Sequence, residues 1–326
     1  MIAFIFPGQG SQKVGMGSEL ADAYPEARRT FDEADAAFRR DTSDSTRLSD
    51  LCFKGPESRL MLTEITQPAI LTASTAAYRV LVAQGIQPAF VAGHSLGEYS
   101  ANVAAGTFDF EDAVATVRRR GRYMQEAVPV GTGAMAAILG SDLETVTRAC
   151  EDAAAGEVVS PANINGPGQV VIAGAAGAVQ RACERALALG AKRAVPLPVS
   201  APFHCALMKP AEGRLAPELR ALPTRDPQVP VVANVDAEPK RDASSAIEAL
   251  VRQVSAPVRW EAVVRRLASE GVTTYVEVGP GTVLSGLVKK ILMDLSRRSL
   301  HVKADARIVS FGSPADLAAV VAACST

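Results

Sequence analysis

Short apolar runs alternate with longer stretches of helical period along much of the chain. Ile2–Phe6 is apolar throughout and is closed by Pro7-Gly8, the pattern of a buried strand. A helical pattern follows over Glu19–Arg40, then a polar, irregular stretch over Asp41–Asp50. Helical spacing resumes over Pro68–Gln84. Gln87–Ala92 reads as a second buried strand and Leu96–Ala105 as a helix. Phe110–Glu126 is helical, with Ala113, Val114, Val117 and Met124 on one apolar face. Strands alternating with helices in this way predict a parallel sheet covered by helices.

The pattern changes in the middle of the chain. Ala134–Leu139 is a strand and Asp142–Ala153 a helix with Ser141 as its N-cap. Glu157–Pro161 and Gln169–Ala173 are strands around an Asn-Gly-Pro-Gly turn. Val179–Leu189 is a helix ended by Gly190, and Arg193–Val199 a strand. The order β-α-β-β-α-β is that of the ferredoxin-like split unit, and about 70 residues suits a small inserted domain. The alternating pattern then returns, with strands at Val229–Asn234, Thr274–Val278 and Ile308–Phe311. The fold class is therefore α/β. A large domain over 1–127 and 200–326 carries a ferredoxin-like α+β insert over 128–199.

Composition and charge narrow the function classes. Of 326 residues, 48% are hydrophobic and 21% charged, which suits a globular chain. The formal net charge of −1 gives no global basic field for nucleic acid or an anionic membrane surface. No run of roughly 18 apolar residues predicts a membrane span. The first residues lack the basic flank of a signal peptide. Cys52, Cys150, Cys183, Cys205 and Cys324 are dispersed without a CxxC pair, so reduced thiols in the cytosol are expected rather than a disulfide framework. No HExxH or other ligand cluster predicts a metal.

Gly93-His94-Ser95-Leu96-Gly97 is a GxSxG sequence between a predicted strand and a predicted helix. That context makes Ser95 a candidate nucleophile on a sharp turn, with its hydroxyl at a helix N-terminus. The plainer reading is a serine that caps a helix. A serine nucleophile needs a base, and the chain has three histidines. His94 adjoins Ser95, and neighbouring side chains on a tight turn diverge. His301 sits in a polar segment with no motif around it. His204 follows a predicted strand, where the active-site loops of parallel sheets lie. Elimination leaves His204, against the plainer reading of a hydrogen-bonded core histidine.

With these residues placed, the sequence resembles the malonyl-CoA:acyl carrier protein transacylases of type II fatty acid synthesis. It is also similar to the related acyltransferase domains of polyketide synthases. The matching motifs run along essentially the whole chain. They are Phe6-Pro7-Gly8-Gln9-Gly10-Ser11-Gln12, Gly93-His94-Ser95-Leu96-Gly97-Glu98, Arg120-Gly121 with Met124-Gln125, Asn163-Ile164-Asn165 and Phe203-His204. Near the end come Pro257-Val258-Arg259-Trp260 and Glu277-Val278-Gly279-Pro280-Gly281.

The resemblance implies malonyl transfer from coenzyme A to the phosphopantetheine thiol of an acyl carrier protein through a malonyl-serine. It implies no cofactor beyond these substrates, and a cytoplasmic monomer. It assigns the oxyanion hole to the backbone at Gln9 and Leu96. Arg120 would bind the substrate carboxylate, because a guanidinium fork matches a carboxylate. Successive side chains of Arg118-Arg119-Arg120 point about 100° apart on a helix, so two can be solvated while one faces a pocket. Gln253 matches the position that orients the histidine. Phe203, Asn163 and His94 would line the substrate pocket. Lys289-Lys290 is the best candidate for docking an acidic carrier protein, with Arg297-Arg298 and Lys13 weaker. Three other readings stay open: a discrete polyketide acyltransferase, a serine thioesterase or lipase, and a non-catalytic carrier-binding module. The hydrolase order places its histidine late in the chain, which His204 does not satisfy.

Overall fold

The computed structural model describes residues 1–40, 46–199, 201–298 and 306–325. Ile2–Phe6 is strand β1, and Ala3–Phe6 are fully buried because strands flank it on both sides. Its neighbours are β2 (Phe90–Gly93) and β9 (Thr274–Val278), both parallel to it. Beyond β9 lies β10 (Arg307–Phe311), and beyond β2 lies β7 (Val231–Val232), also parallel. The short β8 (Pro239–Lys240) closes that edge antiparallel to β7. The order is β10-β9-β1-β2-β7-β8.

Helices cover this sheet. They are α1 (Ser18–Ala23), α2 (Pro25–Arg40), α3 (Leu48–Lys54), α4 (Glu57–Leu60), α5 (Thr63–Ala83), α6 (Gly97–Ala104) and α7 (Phe110–Glu126). α10 (Lys209–Arg220), α11 (Ala243–Gln253), α12 (Trp260–Ser269), α13 (Val283–Arg298) and α14 (Leu317–Cys324) follow. α5 is buried along most of its length, its small polar residues Thr66, Thr72, Ser74 and Thr75 included. Among the described residues no helix is long and apolar enough to cross a membrane.

The second sheet has four strands: β3 (Gly133–Leu139), β4 (Val159–Gly166), β5 (Gln169–Ala175) and β6 (Arg193–Pro196). Their order, β4-β5-β3-β6, is antiparallel throughout. α8 (Leu143–Ala153) and α9 (Ala176–Ala188) pack on it around Ile138, Val146, Ile172 and Ala182. This is the ferredoxin-like arrangement that the sequence pattern predicts, inserted in a large α/β-hydrolase-like unit. The insert meets the large unit along β4: Ile164 donates to the carbonyl of Val258, in the segment ahead of α12, at 2.8 Å, and Val258 donates to that of Ala162 at 2.9 Å.

Several elements differ from the sequence expectation for identifiable reasons. The helix expected over Glu19–Arg40 is broken at Tyr24, which is extended ahead of Pro25. The stretch expected to be irregular falls partly on residues 41–45, outside the described residues, but its end is already helix α3. A buried carboxylate far back in α2 starts that helix. Asp35 accepts from the Ser49 N–H at 2.8 Å, from Ser49 Oγ at 2.7 Å and from Arg47 Nε at 2.7 Å. α5 begins at Thr63, ahead of Pro68, because packing outweighs the one bond that proline removes. The N-cap of α8 is Asp142 and not Ser141; its carboxylate accepts from Thr145 N–H at 2.8 Å. β4 extends past Pro161 with a shifted register there, which carries Asn163 and Asn165 into the strand.

Candidate active site

Ser95 stands between β2 and α6 with φ 51°, a left-handed conformation that a non-glycine residue rarely adopts. Backbone packing compels the turn. A Cβ at Gly93 would collide with the Gly97 carbonyl, and one at Gly97 with the Phe6 carbonyl. A Cβ at Gly8 would strike the carbonyl of His94, so the Gly8-Gln9 loop lies against the same turn. Leu96 follows as the buried N-cap of α6, and Gln9 lines the cavity mouth.

Ser95 Oγ lies 2.7 Å from His204 Nε2. His204 Nδ1 lies 2.9 Å from the main-chain carbonyl of Gln253, to which it donates. That bond leaves Nε2 free to accept the serine proton. The histidine is oriented by the backbone of Gln253, while the amide side chain of that residue is used elsewhere. The premise for His204 also needs correcting. The strand before it, β6, belongs to the antiparallel sheet, so His204 lies on the connection back from the insert and not after a strand of the parallel sheet. His204 is buried and has φ 62°. Burial and the nearby Arg120 charge push its pKa down to about 3, so the imidazole is neutral at pH 7.

Arg120 comes from α7 and is 1% exposed. Its Nη2 donates to Ser95 Oγ at 3.2 Å and to Gln253 Oε1 at 2.9 Å; its Nη1 donates to Gln67 Oε1 at 2.8 Å. Among the described residues its Nε has no hydrogen-bond partner. The ring of Tyr99 lies 5.3 Å from its guanidinium carbon. The other two arginines of the triplet are not merely solvated. Arg118 stacks on Phe38 at 4.3 Å and Arg119 pairs with Glu218.

Side-chain amides hold the nucleophile's backbone. Ser95 N–H donates to Asn234 Oδ1 at 2.8 Å, and Gln253 Nε2 donates to the Ser95 carbonyl at 2.9 Å. Asn234 Nδ2 in turn donates to the Gly93 carbonyl at 2.7 Å. Glu98, 1% exposed, accepts from Asn234 N–H at 3.0 Å and from Gln253 Nε2 at 2.8 Å. Burial raises its pKa to about 7. His94 points away from the pair to Asn165 Oδ1 at 2.8 Å, and burial lowers its pKa.

The cavity at Ser95 has a volume of about 190 Å³. Phe203, Asn163 and His94 line it as the sequence suggests, with Met135 and Val171 from the insert. A second cavity of about 220 Å³ shares Gln9, His94 and Asn165 with it and is walled by Val283, Leu284 and Leu287 of α13. Glu277 holds the start of α13 by accepting from Leu284 and Ser285 N–H groups at 3.1 and 2.7 Å. Lys289 and Lys290 lie exposed further along the same helix, as does Arg297, and Lys13 is exposed on its loop. The side chain of Arg298 and all of His301 lie outside the described residues. Gln67, Glu98, Asn165 and Asn234 are site residues without an individual role in the sequence reading. Only Glu98 and Asn165 carry a signal there, as members of quoted motifs. Among the described residues no cluster of His, Cys, Asp or Glu is able to hold a metal.

A serine on a strained turn, a neutral histidine on its hydroxyl and a buried arginine beside both define an acyl-transfer site. Residues 3–321 match the family model described as acyl transferase domain, and the chain belongs to that family. It is 54% identical over 300 residues to the malonyl CoA-acyl carrier protein transacylase of Escherichia coli strain K12, covering 92% of this chain and 95% of that one. The solved acyl carrier protein S-malonyltransferase of Vibrio cholerae superposes with TM-score 0.91 and 48% identity, over 98% of this chain and 99% of that one. A malonyl-transacylase solved in complex with its type II PKS acyl-carrier protein has TM-score 0.91 and 46% identity, over 99% of both chains.

Proposed function

We propose that this protein moves a malonyl group from malonyl-CoA to the phosphopantetheine thiol of an acyl carrier protein, supplying fatty acid synthesis. The observation that carries the reading is the meeting of two groups at the Ser95 hydroxyl oxygen. Ser95 Oγ lies 2.7 Å from a neutral imidazole nitrogen and 3.2 Å from a buried guanidinium. His204 takes the hydroxyl proton, Ser95 attacks the thioester carbonyl, and the backbone N–H groups of Leu96 and Gln9 hold the oxyanion. His204 returns the proton to the leaving thiol of coenzyme A. The carrier's thiol then attacks malonyl-Ser95 by the reverse of these steps.

Arg120 selects the substrate. Its Nε is without a partner among the described residues, and the malonyl carboxylate would take over the bond that Nη2 gives Ser95 Oγ, so this edge of the guanidinium is the fork. A carboxylate there also offsets the positive charge that depresses His204, so the base strengthens when the right substrate is bound. Lys289 and Lys290 are proposed to meet the acidic carrier, because α13 walls the cavity that adjoins the Ser95 site. The enzyme is read as a cytoplasmic monomer that needs no cofactor and binds neither nucleic acid nor membrane. The insert is taken to span 128–199, with 200 itself outside the described residues. The similarity to a transacylase complexed with a PKS carrier supports a second reading, a discrete acyltransferase serving a polyketide carrier.

Initial-velocity measurements with both substrates test the mechanism. One serine serving two thiol substrates in turn gives parallel double-reciprocal lines. Intersecting lines would contradict it.

A further inference from the structure

Glu98 is the buried carboxylate of the site for which the reaction above has no use. Its Oε2 accepts from Asn234 N–H at 3.0 Å and from Gln253 Nε2 at 2.8 Å. Those two residues between them hold both polar groups of the strained Ser95 backbone. Gln253 also holds His204 through its carbonyl and Arg120 through Oε1. Because Gln253 Nε2 is committed to Glu98 and to Ser95, its Oε1 is the atom left to face the guanidinium. Nucleophile, base and substrate-binding arginine are thus all tied to residues that converge on one oxygen. Resting on the transfer reading above, we propose that Glu98 is a positioning residue: its carboxylate locks the main-chain N–H of Asn234 and the side-chain amide of Gln253, and through these two residues aligns Ser95, His204 and Arg120.

The charge matters because hydrogen bonds to a carboxylate are roughly twice as strong as neutral ones. The titratable groups that face Glu98 come from several elements. Arg120 on α7 favours the charged form and Asp236, in the turn after β7, opposes it. Asp236 is itself paired with Lys240 at 2.8 Å and Arg252 at 3.8 Å. Tyr99 is the neighbour on α6, its phenol pushed up to about 12, and burial keeps His94 and His204 neutral. Glu98 itself titrates at about 7, so its carboxylate is present above that pH and lost below it. The locking bonds therefore strengthen as pH rises through about 7, and His204, at about 3, does not contribute to that limb.

The test is single-turnover malonyl loading of Ser95 from labelled malonyl-CoA, with kcat/KM as a function of pH, in the wild type, Glu98→Gln and Glu98→Ala. Glutamine keeps an acceptor oxygen without charge; alanine keeps neither. Wild-type kcat/KM is expected to rise with pH through about 7. Glu98→Gln should be flat over that range, near the acid-side value of the wild type. Glu98→Ala should load about a hundredfold more slowly than wild type at pH 8, as misplacement of reacting groups costs. Wild-type loading in Glu98→Ala at pH 8 would overturn the proposal. So would a Glu98→Gln profile with the same rise as wild type. Thermal melting checks the fold, and where Glu98→Ala does not fold the Glu98→Gln profile decides. A wild-type protein that never loads would refute the transfer reading itself, which is a separable result.

Discussion

Ser95, Arg120 and Gln67 reach the cavity from the unit built on the parallel sheet, with Gln253 buried behind them, whereas the insert presents Met135, Asn163, Asn165 and Val171 to it. One side supplies the Ser95 hydroxyl, the Arg120 cation and the Gln253 carbonyl that accepts from His204. The other supplies apolar and amide side chains without a titratable group. The connection that returns from the insert adds Phe203 and His204. On the proposed transfer reading, reaction chemistry and acyl shape are thus set by different parts of the chain. The parallel-sheet side is tightly constrained around Ser95. Its glycines at 8, 93 and 97 have backbone where a Cβ would stand, and Ser95 keeps a strained φ because its neighbours over-determine it.

Changes on the chemical side should break this division most strongly. Arg120→Ala should cost malonyl transfer about a hundredfold while acetyl transfer is spared or rises. The wild type disfavours acetyl because a buried donor left unsatisfied costs about 1–3 kcal/mol, and alanine removes that donor. Comparing kcat/KM for malonyl-CoA and acetyl-CoA checks it; an equal fall for both would sink the selection argument.

A change beside the α-carbon should be milder. Phe203 lines the cavity beside His204, so Phe203→Ser should raise the methylmalonyl-to-malonyl ratio by about tenfold, the low end for a methyl-sized difference. Competition between the two thioesters reads this directly, and an unchanged ratio removes Phe203 from the list of size determinants.

The smallest effect is expected outside the cavity. Lys289 and Lys290 are exposed, and exposed charges act mainly on encounter and are screened over about 8–10 Å. Reversing both to Glu should raise the KM for carrier protein several-fold at low salt and leave malonyl loading nearly unchanged. A parallel loss of loading would move the pair from docking to the fold or to coenzyme A.

How much of this was legible in the sequence depended on how local each cause is. The turn at Ser95 is written in five consecutive residues, and its strand and helix flank it as predicted. The β-α-β-β-α-β order gave the insert its topology because each element has its own periodicity. Tyr24 breaks a helix for a reason visible in the next residue, Pro25, although the longer apolar pattern obscured it. By contrast, α3 starts on Asp35, 14 residues back, and no local pattern marks a helix capped from another helix. His204 follows from elimination and from a strand that the sequence places correctly in the insert; the loop of a parallel sheet expected there is instead the connection back from the antiparallel sheet. Gln67 and Asn234 went unread because their partners, Arg120 and Ser95, lie 53 and 139 residues away. An amide that satisfies a buried cation or a strained peptide looks like any other amide until the chain is folded.

The claim at the centre is that Ser95 carries the malonyl group between the two thiols. Labelled malonyl-CoA incubated with the protein, quenched and digested, measures this directly, with carrier protein omitted and then added. The label should first appear on the peptide that contains Ser95, then move to the carrier's phosphopantetheine, and neither should be labelled by Ser95→Ala. Release of free malonate as the sole product, or full labelling of the carrier by Ser95→Ala, would contradict it.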